Sequence, residues 1–169
     1  MSESSTSGAP EVRPIRKEDD PALGQIVRRV LREFQAGGPG FADQDAGLDT
    51  LSQVYARPRS AYYVITVDGR VVGGGGVAPL AGGPPDTCEL QKMYFLPEVR
   101  GQGLGQRMLS LCLDTARQLG FRHCYLETLQ SMTTARALYA KNGFRPLDGP
   151  LGATGHHGCN AWYQRELTP

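Results

Sequence analysis

The stretch Pro97-Glu98-Val99-Arg100-Gly101-Gln102-Gly103-Leu104-Gly105-Gln106 constrains this chain more than any other. Before it, Cys88 to Leu96 has strand character and ends at Pro97, because proline cannot continue a hydrogen-bonded ladder. After it, apolar positions recur at Leu104, Met108, Leu111, Cys112, Thr115 and Leu119 and stop at Gly120, which predicts a helix that begins inside the glycine loop. The first N–H groups of such a helix lack partners, and its dipole places about half a positive charge there. Glycines let the backbone approach a phosphate with no Cβ in the way, and Arg100 adds a cation. A tight turn needing small residues only for packing is the plainer reading, but Arg100 and three alternating glycines exceed what a turn requires. The spacing is G-x-G-x-G rather than G-x-G-x-x-G, and no Gly-Lys-Ser/Thr follows, which disfavours a Rossmann dinucleotide site and excludes a P-loop.

The rest of the chain supplies a mixed α/β sheet around this loop. Val12 to Ile15 reads as a first strand. Asp19, Asp20 and Pro21 start a helix with the face Leu23, Ile26, Val27, Val30, Leu31 and Phe34. A second helix is expected from about Asp43 to Tyr55, with Leu48, Leu51 and Val54 on one side. Ala61 to Val67, the turn Asp68-Gly69 and the arm from Val71 form a hairpin, and the arm contains Gly73 to Gly76, a mark of a bulge or a close backbone approach. Phe121 to Leu126 is a further strand. Ser131 is placed to cap a helix carrying Met132, Ala135, Leu138 and Tyr139 and ending at Asn142-Gly143; Phe144 to Leu147 and Ala161 to Leu167 close the chain as strands.

Composition narrows the class. With 169 residues, one domain with a substantial core is expected over 11–169, after a Ser/Thr/Gly-rich disordered tail over 1–10 that is not a secretory signal. A formal net charge of +1 gives no support for nucleic acid or an acidic membrane surface, and no apolar run is long enough for a membrane helix. The 4 cysteines lie far apart with no C-x-x-C pair, so reduced thiols in a cytoplasmic protein are expected.

Arg100-x-x-Gly103-x-Gly105, after a strand ending Met93-Tyr94-Phe95-Leu96-Pro97, resembles the acetyl-CoA signature of GNAT superfamily N-acetyltransferases. Ala137-Leu138-Tyr139 followed by Asn142-Gly143-Phe144 resembles that family's second signature, and the element order is similar from Val12 to Leu167. The resemblance implies a mostly antiparallel twisted sheet of about seven strands with four helices on both faces, acetyl-CoA as cosubstrate, a primary amine as acceptor, and frequent dimers. It implies that the backbone of Met93, Tyr94 and Phe95 pairs with the pantetheine arm as an added strand. It also implies that amides of Gly101, Gln102, Gly103, Leu104, Gly105 and Gln106 hold the pyrophosphate. The family often has an Asn early in the later helix; this chain has Met132 there, with Ser131 or Thr133 as substitutes.

Acetyl transfer to an amine requires a neutral nucleophile, and an ammonium with pKa near 10.4 is only about one part in 10^3.4 neutral at pH 7. A positioned base relieves part of that handicap, and the departing thiolate needs a proton. Regular alternation puts Glu89, Gln91, Met93 and Phe95 on one strand face. Family members that use a glutamate on this strand make Glu89 the expected base; others use one at the position of Glu127, and water-relayed deprotonation is a third route. Tyr139 matches the family's general acid, with core packing as its alternative. His156, His157 and Cys159 lack a fourth ligand of suitable spacing, so no metal is expected; they line the acceptor pocket or lie in solvent. A non-catalytic acyl-CoA-binding module is the competing class.

Overall fold

The computed structural model describes residues 8–167. The tail expected over 1–10 lies outside the described residues up to position 7. From there the chain is held: Gly8 N–H donates to Asp68 Oδ1 at 2.9 Å, and the Pro10 carbonyl accepts from Arg107 at 3.3 Å.

Seven strands form one sheet: β1 (Glu11–Pro14), β2 (Ala61–Val67), β3 (Arg70–Pro79), β4 (Thr87–Phe95), β5 (His123–Thr128), β6 (Arg145–Leu147) and β7 (Ala161–Glu166). Their spatial order is β1-β2-β3-β4-β5-β7-β6. Every neighbouring pair is antiparallel except β4–β5, which is parallel. Four α-helices complete the fold: α1 (Asp20–Glu33), the single turn α2 (Leu51–Val54), α3 (Leu104–Gln118) and α4 (Thr133–Lys141). α1 and α2 cover one face, over Leu23, Leu51, Tyr55, Tyr62 and Val64. α3 and α4 cover the other, over Met108, Leu109, Cys112, Leu126 and Tyr139. No helix among the described residues is long and apolar enough to cross a membrane.

Three local expectations change. The helix expected over Asp43–Tyr55 is two short 3-10 turns and one α-turn, because Gly47 sits at φ +84 and breaks the helical path. Ser131 caps nothing: α4 starts at Thr133, and the residue before it, Met132, carries no capping oxygen. On α3 the buried stripe includes Leu109 and Leu113, while Leu111 is half-buried, a rotation of the face by about one position.

The glycines of β3 answer to close approach. A Cβ on Gly74 would lie 2.6 Å from Tyr62, one on Gly76 would lie 2.5 Å from the Ala61 carbonyl, and one on Gly75 would press on Met108 and Met93. β4 passes these glycines with a bulge: Gly74 pairs with Tyr94 and Gly76 with Gln91, so Lys92 and Met93 together face Gly75. Lys92 takes φ +49, a left-handed conformation, and the Tyr62 hydroxyl donates to its carbonyl at 2.8 Å. The extra residue reverses the alternation. Glu89, Gln91 and Tyr94 therefore share the α1 face, whereas Met93 and Phe95 turn to the α3 face, against the regular pattern expected for Glu89, Gln91, Met93 and Phe95.

Candidate active site

The parallel seam builds the site. β4 and β5 pair only over Thr87–His123, Cys88–Cys124 and Glu89–Tyr125, then part. Beyond that point a cleft opens between the bulged half of β4 and the end of β5. Glu89, Met93, Tyr94, Glu127, Tyr139 and His156 are among its lining residues. Glu89 and Glu127 reach it from the α1 face and Tyr139 from the α3–α4 face, so the gap in the sheet brings together groups that an unbroken sheet would separate.

Glu89 is 5% exposed. Gln91 Nε2 donates to its Oε1 at 2.6 Å, and Gln91 is itself oriented by the Tyr55 hydroxyl, 2.7 Å from Gln91 Oε1. Its other oxygen has no protein donor among the described residues, and no buried side-chain oxygen is left unpartnered, so that oxygen faces the cleft. Burial raises the Glu89 carboxyl to about 7; the bond from Gln91 opposes this, Glu127 adds to it, and His156 and Lys92 oppose it weakly. Glu127 is committed differently: Tyr125 donates to its Oε2 at 2.9 Å and Thr154 donates to its Oε1. Of the two carboxylates, only Glu89 has an oxygen free toward the cleft.

Tyr139 is 6% exposed, packed edge-on to Phe144 with ring centroids 5.8 Å apart, and burial pushes its phenol well above the ordinary value. Its hydroxyl makes no hydrogen bond among the described residues. The same residue thus packs in the core and lines the cleft.

The glycine loop joins the end of β4 to α3. Gly101 and Gly103 adopt φ +77 and +78. Gly105 packs on Leu138, where a Cβ would lie 3.2 Å from Cδ2. No N–H from Gly101 through Gln106 finds a protein acceptor among the described residues; the first helical bond runs from Arg107 N–H to the Gly103 carbonyl at 3.1 Å. Several unpaired donors at a helix N-terminus form an anion cradle. The Arg100 side chain is engaged elsewhere: it pairs with Glu33 at 2.6 Å and donates through Nε to the Phe95 carbonyl at 3.0 Å. The Gln106 side chain exchanges hydrogen bonds with Asn142 at 2.8 Å, locking α3 to the end of α4. Met132 lines the cleft and accepts from Thr128 Oγ1 at 3.5 Å.

The two adjacent histidines separate. His156 enters the cleft: its Nε2 is 2.7 Å from Asp45 Oδ1 and its Nδ1 is 3.9 Å from Glu127 Oε1. His157 is exposed against Gly40. Glu89, Glu127 and His156 each bring one possible ligand atom within 4.8 Å of the others. That cluster differs from the His156, His157 and Cys159 grouping considered from spacing. Asp45, Lys92 and Thr154 carried no signal in the sequence, since each matters through a partner distant in the chain.

A sequence profile of the Acetyltransferase (GNAT) family matches residues 26–144. The chain is 44% identical over 160 residues to the uncharacterized N-acetyltransferase YjgM of Escherichia coli, covering 94% of this chain and 96% of that one. It is 33% identical over 147 residues to an IAA acetyltransferase of Azospirillum brasilense, covering 86% and 91%. Its fold is shared with a GNAT-family acetyltransferase of Staphylococcus aureus at TM-score 0.83 and 19% identity, covering 95% and 100%. It is also shared with yncA of Salmonella typhimurium, solved with its cofactor acetyl-CoA, at TM-score 0.74 and 19% identity, covering 95% of each chain. Profile, relatives and fold agree: this chain belongs to the GNAT family of acetyltransferases, enzymes of the N-acetyltransferase class.

Proposed function

We propose that this protein moves an acetyl group from acetyl-CoA to a primary amine by direct attack in a ternary complex, with Glu89 as base and Tyr139 as acid. The observation that carries the reading is the Glu89 carboxyl, buried beside an open cleft with a pKa raised to about 7, in the same cavity as the Tyr139 hydroxyl. A base matched to neutral pH takes the ammonium proton most effectively. Glu89, through its free oxygen, accepts that proton; the amine lone pair forms the new C–N bond; the C–S bond breaks; and Tyr139 gives its proton to the departing thiolate.

The chain's own residues also account for where acetyl-CoA would lie. The parted edge of β4 offers the backbone of Met93, Tyr94 and Phe95 to a pantetheine arm as an added strand. The unpaired amides of Gly101, Gln102, Gly103, Leu104, Gly105 and Gln106 suit a pyrophosphate, with Arg100 holding the loop in place through Phe95 and Glu33. Acetyl-CoA chemistry supplies the activated thioester, and no metal enters the reaction.

Acetyl-CoA-dependent release of free thiol with a panel of primary amines tests the reading. Release with at least one amine is expected, rising with pH through a limb near 7 as Glu89 deprotonates. Glu89→Gln should lower kcat/KM by about 10^2-fold while leaving acetyl-CoA affinity unchanged. A Glu89→Gln enzyme with a wild-type rate from pH 6 to 9, or acetyl-CoA binding with no thiol release for any amine, would overturn it.

A further inference from the structure

Three charged side chains at the acceptor end take no part in the steps above: Asp45, Lys92 and His156. They come from the connection after α1, the bulge of β4 and the connection between β6 and β7. Lys92 Nζ donates to Asp45 Oδ2 at 2.7 Å, and His156 Nε2 meets Asp45 Oδ1 at 2.7 Å. The Lys92 side chain is only 10% exposed, and Asp45 is its one charge partner among the described residues. The two connections also touch directly. Gly158 N–H donates to the Gly40 carbonyl at 3.0 Å. The Phe41 ring lies across Gly158, where a Cβ would be 2.5 Å from it, and a Cβ at Gly40 would be 2.6 Å from the His157 ring. Glycine at both positions is what allows the contact.

We propose that Asp45 is a positioning residue that clamps these two connections together over the acceptor end, so that the acceptor is a small primary amine enclosed in the cleft and not a polypeptide lying across it. This rests on the acetyl-transfer reading above. An N-terminus or lysine on a polypeptide brings flanking residues on both sides and needs an open groove, which the backbone bond, the Phe41 contact and the ion pairs close. Inside the closure, the carboxyls of Glu89 and Glu127 line the cleft together with the apolar side chains of Leu31, Phe41 and Leu129. An ammonium on a short apolar body fits both.

The clamp also sets the charge around the base. The groups facing Glu89 are Gln91, Lys92 and Tyr94 on its own strand, Tyr125 and Glu127 on β5, Tyr55 just after α2, and His156 and Cys159 from the β6–β7 connection, with Asp45 behind Lys92 and His156. Asp45 places one negative charge between Lys92 and His156. Asp45→Asn removes that charge, and losing an anion near a carboxyl lowers the carboxyl's pKa. The acid limb of the rate should then move to lower pH.

The test uses the full chain as wild type, Asp45→Asn, Asp45→Glu and His156→Ala. Its first arm is amide hydrogen exchange over residues 36–47 and 150–160. Its second is thiol release with short alkyl primary amines against lysine-containing and free-N-terminal peptides. Faster exchange in both connections in Asp45→Asn and His156→Ala supports the clamp, as does a wild-type kcat/KM for short amines at least about tenfold above that for peptides. Asp45→Asn should raise the amine KM about tenfold and shift the acid limb down, with acetyl-CoA affinity within about twofold and partial rescue in Asp45→Glu. Peptides acetylated as well as short amines, or exchange and pH limb unmoved in both variants, overturn the proposal. Absence of thiol release with every acceptor would defeat the transfer reading alone, and the exchange arm would still decide the clamp.

Discussion

Glu89 shows how surroundings move an ordinary carboxylate toward neutral pH, which is what the proposed base requires. Desolvation raises it, and one directed bond from Gln91 restrains the rise. Tyr139 reaches the cleft from the opposite face, its phenol raised by burial; in the proposed reaction it protonates the thiolate. Tyr139→Phe should reduce kcat by about 10 to 10^2-fold with acetyl-CoA affinity intact, checked by thiol release and by cofactor titration. Turnover at the wild-type rate would leave Tyr139 with its packing role against Phe144 alone. Both residues were singled out in the sequence, Tyr139 by a short motif of fixed spacing and Glu89 by its place on the strand before Met93. Asp45 was not: its partners Lys92 and His156 are 47 and 111 positions away, and no local pattern records such a meeting.

Elements add a second kind of information, since two groups of glycines serve different ends. Those in β3 are needed for space, whereas Gly101 and Gly103 are needed for left-handed backbone with open space around them. Gly76→Ala forces a Cβ within 2.5 Å of the neighbouring strand's carbonyl, so it should cost about 3 kcal/mol or more in urea denaturation. Gly103→Ala meets nothing within 4 Å and should cost about 1–2 kcal/mol from its φ alone, but weaken acetyl-CoA binding by misaiming the loop amides. Equal losses of stability for the two would contradict this division. The succession of strands and the helices of the second half were legible from periodicity and turn residues, but the spatial strand order was not. The broken helix at Gly47 and the bulge at Lys92 were not, because one depends on a single positive φ and the other on glycines in a neighbouring strand.

At the scale of the molecule, the raised Glu89 couples stability to pH. Its native pKa of about 7 exceeds the ordinary 4.5, so the native state binds more protons than the unfolded chain between those values, and stability falls as pH rises through that window. A shift of this size corresponds to about 3 kcal/mol above pH 7. Glu89→Gln should therefore raise the thermal midpoint at pH 8 and leave it near wild type at pH 4, by calorimetry. An equal change at both pH values would show a packing effect instead. The His156–Asp45 bond runs the same way at its histidine: the imidazole is raised chiefly by the bond to Asp45, so its contribution is complete below the unfolded value and is lost as pH rises through the folded one.

The parting of β4 and β5 has a consequence for how the chain comes apart. The sheet is two blocks, β1–β4 and β5–β7–β6, sutured by the three paired positions Thr87–His123, Cys88–Cys124 and Glu89–Tyr125 and bridged by α3. A suture that short is where two halves can separate before either melts. A ligand lying along the open edge adds the ladder that the strands themselves lack, and at about 100 times its dissociation constant contributes about 2.7 kcal/mol. Bound cosubstrate would then act as a seam-filling strand, changing the molecule from two loosely joined blocks into one cooperative unit.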